Sequence, residues 1–226
     1  MRGEELTGFA LHLRPLKETS KICEFFSVEH GVVSGAIRQS LPHFSLTQLR
    51  ATGTSSLKSF TKAEPVPTHA YQLQGEQLYC GFYLNEILVK LMPKEEAHPS
   101  IYHCYQHSIR ALSGALNPRE VTLRLRMFEL GLLDNLGYGI SFRTDANNNL
   151  IDPAGSYRYH PEQGWLVSKE INSTSAYSGL WIYSAQDSLH TCDLRTLSRL
   201  CRQVIDHHLD HKELSSRKLM QELRSF

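Results

Sequence analysis

Apolar and polar residues alternate along the first third of the chain, a pattern typical of β-strands. In the stretch GFALHLR, Phe9, Leu11 and Leu13 fall on one side of the predicted strand and the residues between them on the other. Four more short runs follow, namely ICEFFSV, VVSGAI, SLTQLRATG and LKSFTKAEPV. Short strands at this spacing are typical of a small all-β barrel or sandwich, and we assign residues 1–76 to it.

Pro65 and Pro67 predict the end of this strand region, because proline cannot donate a backbone hydrogen bond to a sheet. We therefore place the domain boundary near residues 64–78. Beyond it, apolar residues recur with helical spacing, first in EQLYCGFYLNEILVKLM and then in HPSIYHCYQHSIRALSGAL. Residues 77–226 are predicted to form a mainly helical domain.

Capping residues mark two of the later helices. Asn117, Pro118 and Glu120 stand in the order of an N-cap, a first helical residue and a capping-box partner. Gly137 is suited to end the same helix, because glycine readily adopts the left-handed conformation. Asp193 is a suitable N-cap for DLRTLSRLCRQVIDHHLDH, and SSRKLMQELRSF predicts a last short helix.

Residues 140–168 interrupt the helical pattern. The segment is rich in asparagine, aspartate, glycine and proline, and it contains two short β-like pieces, ISF and SYRYH. We predict an excursion of hairpins or loops inside the helical domain.

Composition narrows the classes of protein to which the chain can belong. Of its 226 residues, 41% are apolar and 21% charged, which is typical of globular proteins in solution. No apolar run approaches the roughly 20 residues that span a bilayer, and the first residues show no secretory signal pattern. The five cysteines include no C-x-x-C pair, so we expect reduced thiols in a cytoplasmic protein.

The net charge of +1 is spread evenly along the chain, whereas nucleic-acid-binding proteins are often more basic. Binding to nucleic acid would therefore depend on local clusters of cations. Such clusters suit phosphates or acidic peptides, and the alternative is an ordinary solvated surface. The clustered residues are Arg195, Arg199 and Arg202, spaced i, i+4 and i+7; Arg14, Lys17 and Lys21, around the first connection; and Arg38 and Arg50.

Catalytic motifs are mostly absent: there is no G-x-S-x-G, no P-loop, no G-x-G-x-x-G and no H-E-x-x-H. In DHHLDH, His207 and His211 would share a helix face and could bind one metal ion, with Cys192 and Cys201 as further ligands. Spacing fixes no third ligand, however, and histidine is favoured at the C-terminal turn of any helix. The motif is therefore interpreted first as a polar helix end.

The third predicted helix is apolar over much of its circumference, yet Arg126 lies between its two apolar stripes. A fully buried, unpaired arginine is costly, which leaves two arrangements open. In the first, Glu129 pairs with Arg126, since the two are three residues apart. In the second, Arg126 lies at the rim of an apolar pocket, which could take an apolar residue bearing a carboxylate, such as a protein C-terminus that ends in phenylalanine.

The order of motifs resembles the bacterial RecO family of DNA repair proteins over nearly the whole chain. GFALHLRPLKETSKICEFFSVEHGVVSGAIRQ is similar to the family's first strands, with the R-P-x-x-E-T-S connection. LYCGFYLNEILVKLMPKEE is similar to the L-Y-x-x-x-Y-x-N-E-L helix, and LRMFELGLLDNLGYGISF to the segment R-x-F-E-L-x-L-L-x-x-L-G-Y-G. SYRYHPEQGW and SSRKLMQELRSF match later family elements in the same order.

The resemblance implies an OB-fold barrel followed by a helical domain, and a recombination mediator without enzymatic activity or cofactor. Such a protein binds single- and double-stranded DNA and anneals complementary strands. With RecR, it loads RecA onto strands coated by single-stranded-DNA-binding protein (SSB). The first alternative is a protein-interaction adaptor that docks the SSB tail and binds DNA weakly. The second is a metal-dependent hydrolase that uses His207 and His211.

The resemblance also implies a docking site for the acidic SSB tail, which ends in phenylalanine. By motif position, Arg126 is the contact for the terminal carboxylate, with Phe128, Leu130 and Arg124 near the pocket. The basic clusters are the expected DNA contacts. The chain departs from the family in two ways: the basic loop after the third strand is short, and residues 140–168 contain none of the four cysteines that bind zinc in some relatives. No zinc is expected.

Overall fold

The computed structural model describes residues 3–169 and 175–224, which belong to two compact units. The first unit is Met1–Ala115 with Glu213–Phe226, and the second is Leu116–Lys212. The first unit thus contains the barrel, the two helices that follow it and the last helix. The sequence instead predicts a boundary at residue 76, between the barrel and these helices. None of the described helices combines the length and apolarity needed to cross a bilayer.

Strands and helices are numbered along the described chain. The strands are β1 (Glu4–Lys17), β2 (Ser20–Ser27), β3 (Gly31–Ile37), β4 (Ser45–Thr52), β5 (Leu57–Ala70), β6 (Ser156–His160), β7 (Gly164–Val167) and β8 (Tyr177–Ser178). The helices are α1 (Gly75–Leu91), α2 (Pro99–Leu112), α3 (Pro118–Asn135), α4 (Gly179–Asp187), α5 (Leu194–His208) and α6 (Ser215–Arg224).

The first five strands close into a barrel in the order β1-β2-β3-β5-β4, which confirms the predicted OB-type fold. The pairs are antiparallel except β3 with β5. The predicted break at Pro65 and Pro67 is wrong, because β5 continues to Ala70. Both prolines lie where the register between β4 and β5 is irregular, from Thr47 opposite Pro65 to Ser45 opposite Ala70. Strands tolerate proline at such positions.

The predicted facing of the first strand is also wrong. A bulge between Ala10 and His12 changes the register of β1, so that Ala10 and Leu13 pack with the barrel interior. Phe9 lies on the outside, where its ring packs against Tyr105 of α2 at a centroid distance of 5.3 Å. The apolar residues of β1 are therefore divided between two faces of the strand. The inner face fills the barrel, and the outer face is covered by a helix.

A buried amide joins the barrel to its helices within the first unit. Asn85 of α1 is 2% exposed and donates from Nδ2 to the carbonyl of Leu11 at 2.9 Å. Its Oδ1 accepts a hydrogen bond of 2.7 Å from the hydroxyl of Tyr105. One side chain therefore satisfies groups on β1 and α2 at once. Because an unsatisfied buried amide is costly, this network holds the three elements in one arrangement.

Glu86 of α1 caps the N-terminus of α6. Its carboxylate accepts backbone hydrogen bonds from Ser215 at 3.0 Å and Ser216 at 2.9 Å, and one from the Ser216 hydroxyl at 2.6 Å. Lys90 lies 3.1 Å from the same carboxylate. Burial alone would raise the pKa of Glu86, but the hydrogen bonds, led by those from Ser216, outweigh it and lower that pKa. The negative charge also suits the helix N-terminus.

The capping residues of α3 occupy their predicted positions in the second unit. Glu120 donates its backbone N–H to Asn117 Oδ1 at 3.0 Å, and Asn117 donates its own to Glu120 Oε2 at 2.8 Å, which completes the capping box. At the other end Gly137 has φ +84°, and the N–H of Tyr138 donates to the carbonyl of Leu133. This is the Schellman arrangement that ends many helices.

The excursion is a loop followed by a small sheet in the order β7-β6-β8. SYRYH forms β6 as predicted, but ISF forms no strand. Instead, Asp145 accepts backbone hydrogen bonds from Asn147 and Asn149, both at 2.9 Å, and closes the loop. Trp165, 1% exposed, fills the centre of the segment, with ring centroids 4.8 Å from Tyr159 and 5.2 Å from Tyr177. An aromatic core therefore holds this segment together.

Arg126 and Glu129 form a buried ion pair on α3. The guanidinium donates to Glu129 Oε1 at 2.5 Å, and the two side chains are 12% and 1% exposed. Of the two arrangements that the sequence left open, the structure shows the first. Cys201 of α5 lies beside the pair, and burial, followed by the charge of Glu129, raises its pKa well above the ordinary value. The thiol is therefore protonated at neutral pH.

We expect Glu86→Gln to lower the free energy of unfolding by about 1–2 kcal/mol at pH 7, because the α6 amides lose a charged acceptor. A carboxylate whose pKa is lowered by folding stabilises the folded protein fully at pH values above its unfolded pKa of about 4.3. This stabilisation is lost as the pH falls through the pKa of the folded state. Urea denaturation at pH 7 and pH 3 should thus show a difference from wild type that shrinks in acid. Glu64→Gln, which changes an exposed carboxylate on β5, should differ little at either pH.

Arg126→Ala should lower the free energy of unfolding by about 3 kcal/mol, because it leaves the carboxylate of Glu129 buried without its cation. The double variant Arg126→Ala/Glu129→Gln should recover part of that loss, since a neutral amide needs no counter-charge. Urea denaturation of the three proteins measures both effects. A single variant as stable as wild type would show that the pair is not needed for stability.

Candidate nucleic-acid interface

The basic residues of the barrel are divided between one cleft and its surroundings. Lys17 at the end of β1 and Arg38 after β3 are exposed and line the same cleft. Arg14 and Lys21 lie on the neighbouring β1–β2 hairpin, where they pair with Ile22 and Pro15 respectively. Arg50 is on β4, and its guanidinium lies against Gly3. A Cβ atom added to Gly3 would be 2.5 Å from a guanidinium nitrogen of Arg50. Two of the five predicted barrel contacts therefore share one site.

The cleft has a volume of about 620 Å³ and opens at the ends of β1, β2 and β3. Lys62 of β5 is its third cation, and sequence reasoning missed it. No acidic residue is among the lining residues, so three basic residues border one space whose lining contains no carboxylate. Polar groups of threonine, serine and glutamine supply further donors. The lining residues are Leu16, Lys17, Thr19, Ser20, Ala36, Ile37, Arg38, Gln39, Ser59, Phe60, Thr61 and Lys62.

The three predicted arginines of α5 differ in their surroundings. Arg195 and Arg202 are exposed, whereas Arg199 is half-buried. The Arg199 guanidinium lies 4.0 Å from the centroid of the Tyr177 ring and donates to the carbonyl of Ala176 at 2.8 Å. A cation over an aromatic face stabilises the packing of α5 against the excursion. Arg195 and Arg202 are thus the more accessible cations of this helix.

The predicted tail-binding residues occupy different depths around α3. Phe128 is fully buried, and Leu130 packs at the edge of a core formed by α3, α4 and α5. Arg124 and Arg126 are half-exposed or less, and Arg126 contacts Glu129. Met127 is the exposed large apolar side chain of α3, at 38%. Phe128 therefore supports the helix from within. Arg124 and exposed Met127 are three residues apart and share one face of α3, whereas Arg126 points to a different face, beside Glu129.

The histidines of DHHLDH lie at the C-terminal end of α5. The rings of His207 and His211 have centroids 6.5 Å apart, and His207 Nε2 lies 3.5 Å from a carboxylate oxygen of Glu162. In the described ranges, no three histidine, cysteine, aspartate or glutamate side chains are grouped so that they could hold a metal ion. Cys192 and Cys201 are buried, and burial raises the pKa of both thiols. The hydrolase hypothesis therefore finds no ligand set among the described residues.

Comparison with known proteins agrees with the order of motifs in the sequence. The family model described as "Recombination protein O C terminal" matches residues 72–218. The DNA repair protein RecO of Pseudoalteromonas atlantica is 33% identical, over 98% of this chain and 96% of that protein. RecO of Psychromonas ingrahamii is 32% identical, over 94% of this chain and 95% of that protein. RecO of Haemophilus influenzae is 34% identical, over 97% of this chain and 96% of that protein. The chain belongs to the RecO family of DNA repair proteins.

Proposed function

We propose that the protein is a recombination mediator that binds single- and double-stranded DNA and anneals complementary strands. With RecR, it loads RecA onto SSB-coated single strands in the cytoplasm, at the nucleoid. The observation that supports DNA binding is the barrel cleft, in which Lys17, Arg38 and Lys62 meet without a lining carboxylate. The proposed activity needs no cofactor, because binding and pairing involve no covalent step.

Local charge accounts for how a protein of net charge +1 binds a polyanion. Each phosphate contact with lysine or arginine releases condensed counterions, so a few well-placed cations contribute more than the total charge does. Arg14 and Lys21, on the hairpin beside the cleft, extend the proposed basic surface. Arg195 and Arg202 offer a second proposed contact on the other unit.

Docking of the SSB tail is a second proposed activity of the same protein. Its support is the composition of α3, where exposed Met127 shares a helix face with Arg124, and Arg126 precedes Met127 by one residue. A guanidinium has five N–H donors, so the contact with Glu129 does not prevent Arg126 from binding a second carboxylate. An acidic tail that ends in phenylalanine with a free carboxylate fits this composition. The adaptor alternative corresponds to this activity without appreciable DNA binding.

DNA binding should weaken steeply as salt rises. The three phosphate contacts of the cleft by themselves contribute about −2 for a single strand, and about −3 for a duplex, to the slope of log K against log salt. Fluorescence anisotropy with labelled oligonucleotides from 25 to 200 mM salt, roughly, measures both slopes. The double variant Lys17→Ala/Arg38→Ala should have a shallower slope, and Lys212→Ala, an exposed cation outside the cleft, should match wild type. Absence of binding at low salt would exclude the DNA-binding function.

Tail docking can be tested without changing the protein. A peptide of the SSB tail with a free C-terminal carboxylate should bind more tightly than the same peptide with a C-terminal amide, by about 1–3 kcal/mol, because a charged hydrogen bond is lost. Calorimetric titration of both peptides gives the difference. Equal affinities would reject the assigned role of the arginines. Tail binding without DNA binding, on the same sample, would favour the adaptor.

A further inference from the structure

A β-bulge places Lys62 in the barrel cleft. Arg50 of β4 lies opposite Thr61, and Gln48 lies opposite Glu64, so Lys62 and Ala63 together face one residue of β4. Lys62 has φ +50°, in the left-handed region that residues with a Cβ rarely adopt. Bulges of this kind redirect a side chain relative to its neighbours in the strand. Without the extra residue, each side chain of β5 after this point would lie on the opposite face of the strand.

Neighbouring groups hold the bulge on both sides. Phe60 and Ala63 are each 3% exposed and belong to the barrel core, which fixes the strand before and after Lys62. Gln39 donates from Nε2 to the carbonyl of Ala63 at 2.8 Å, and the Thr61 hydroxyl donates to the carbonyl of Arg50 at 3.5 Å. Strained backbone persists where its surroundings determine it in this way, and such positions are often functional.

The phenylalanine rings of the barrel strands are buried. Strands β1–β5, each described in full, contain four phenylalanines and no tyrosine or tryptophan, and all four rings are buried. Proteins that hold single strands by their bases stack them on exposed rings. The cleft therefore offers cations and polar groups, but none of the phenylalanine rings of its strands is exposed for stacking. The buried rings are Phe9, Phe25, Phe26 and Phe60.

We infer that the barrel cleft binds the sugar–phosphate backbone of DNA, with Lys62 as its third phosphate contact, and leaves the bases directed outward. This inference rests on the proposed DNA-binding function and specifies which part of the ligand the site takes. A strand held by its phosphates keeps its Watson–Crick edges unoccupied, as annealing to a complementary strand requires. Affinity at the cleft then depends on the number of phosphates and little on base identity.

Lys62→Asn tests the role of the bulge residue. Asparagine tolerates the left-handed conformation, so the variant removes the charge without adding backbone strain. We expect unchanged thermal stability and affinity for a single strand about fivefold weaker at 0.1 M salt, with the salt slope shallower by about 0.7, as for one lost phosphate contact. Lys212→Asn is the matched control. Wild-type affinity and slope in Lys62→Asn would overturn the assignment, whereas a wild-type protein that binds no DNA would overturn the proposed function itself.

An abasic oligonucleotide tests whether bases contribute. It carries the same phosphates as oligo-dT of equal length but offers nothing to stack. Tyr138 and Tyr183, exposed rings of the second unit, are first replaced by leucine so that these two rings cannot stack on the bases. We expect the two oligonucleotides to bind this variant within about twofold, since each stacked base would contribute roughly fivefold or more. A larger loss with the abasic strand would overturn the inference and leave DNA binding as such intact.

Discussion

The outer faces of β1 and β2 carry large aromatic side chains that must be covered, and this constraint organises the first unit. Phe9 and Phe26 are fully buried against Tyr102 and Tyr105 of α2, outside the barrel. Leaving two such rings in water would forfeit several kcal/mol of hydrophobic stabilisation, roughly 2–3 kcal/mol for each. The helices after the barrel are therefore part of its fold, and Asn85 fixes their orientation through hydrogen bonds that only one arrangement satisfies.

That covering involves the outer faces of β1 and β2, and the basic cleft lies on a part of the barrel that the aromatic residues of α2 do not contact. The helices occupy the sides of β1 and β2, while the β1–β2 turn, the end of β3 and the bulge of β5 surround the basic cleft. The cations there belong to three separate segments of the chain, which explains how a protein of nearly zero net charge can present a local positive field. The fold concentrates charge that the sequence spreads evenly.

In the second unit, by contrast, two charged side chains lie in the interior. Arg126 and Glu129 are buried together, and the guanidinium remains close enough to the surface to be 12% exposed. A pair of this kind contributes less stability than its distance suggests, because both ions lose hydration, but removing one partner is costly. In the proposed tail docking, a ligand carboxylate that binds Arg126 would therefore share the cation with Glu129.

Some features follow from residues that are close in the sequence, and these were predictable. The capping box of Asn117 and Glu120 and the glycine end of α3 each depend on groups a few residues apart, so the local pattern determined them. The strand-rich first third and the helices after it follow from periodicity. The order of five motifs identified the family, and relatives that match nearly the whole chain confirm it.

Other features depend on which distant residues meet, and only the tertiary structure decided them. The bulge in β1 turns Ala10 inward and Phe9 toward α2, and the irregular pairing with β4 carries β5 through Pro65 and Pro67. Lys62 shows the same dependence, since nothing in FTKAEP marks it for a cleft. The sequence by itself determined the strand-rich first third, most of the helices, the caps of α3 and the family. Register, bulges and the meeting of Lys62 with cations 24 and 45 residues away along the chain came from barrel closure, because pairing between strands far apart in sequence leaves no local pattern.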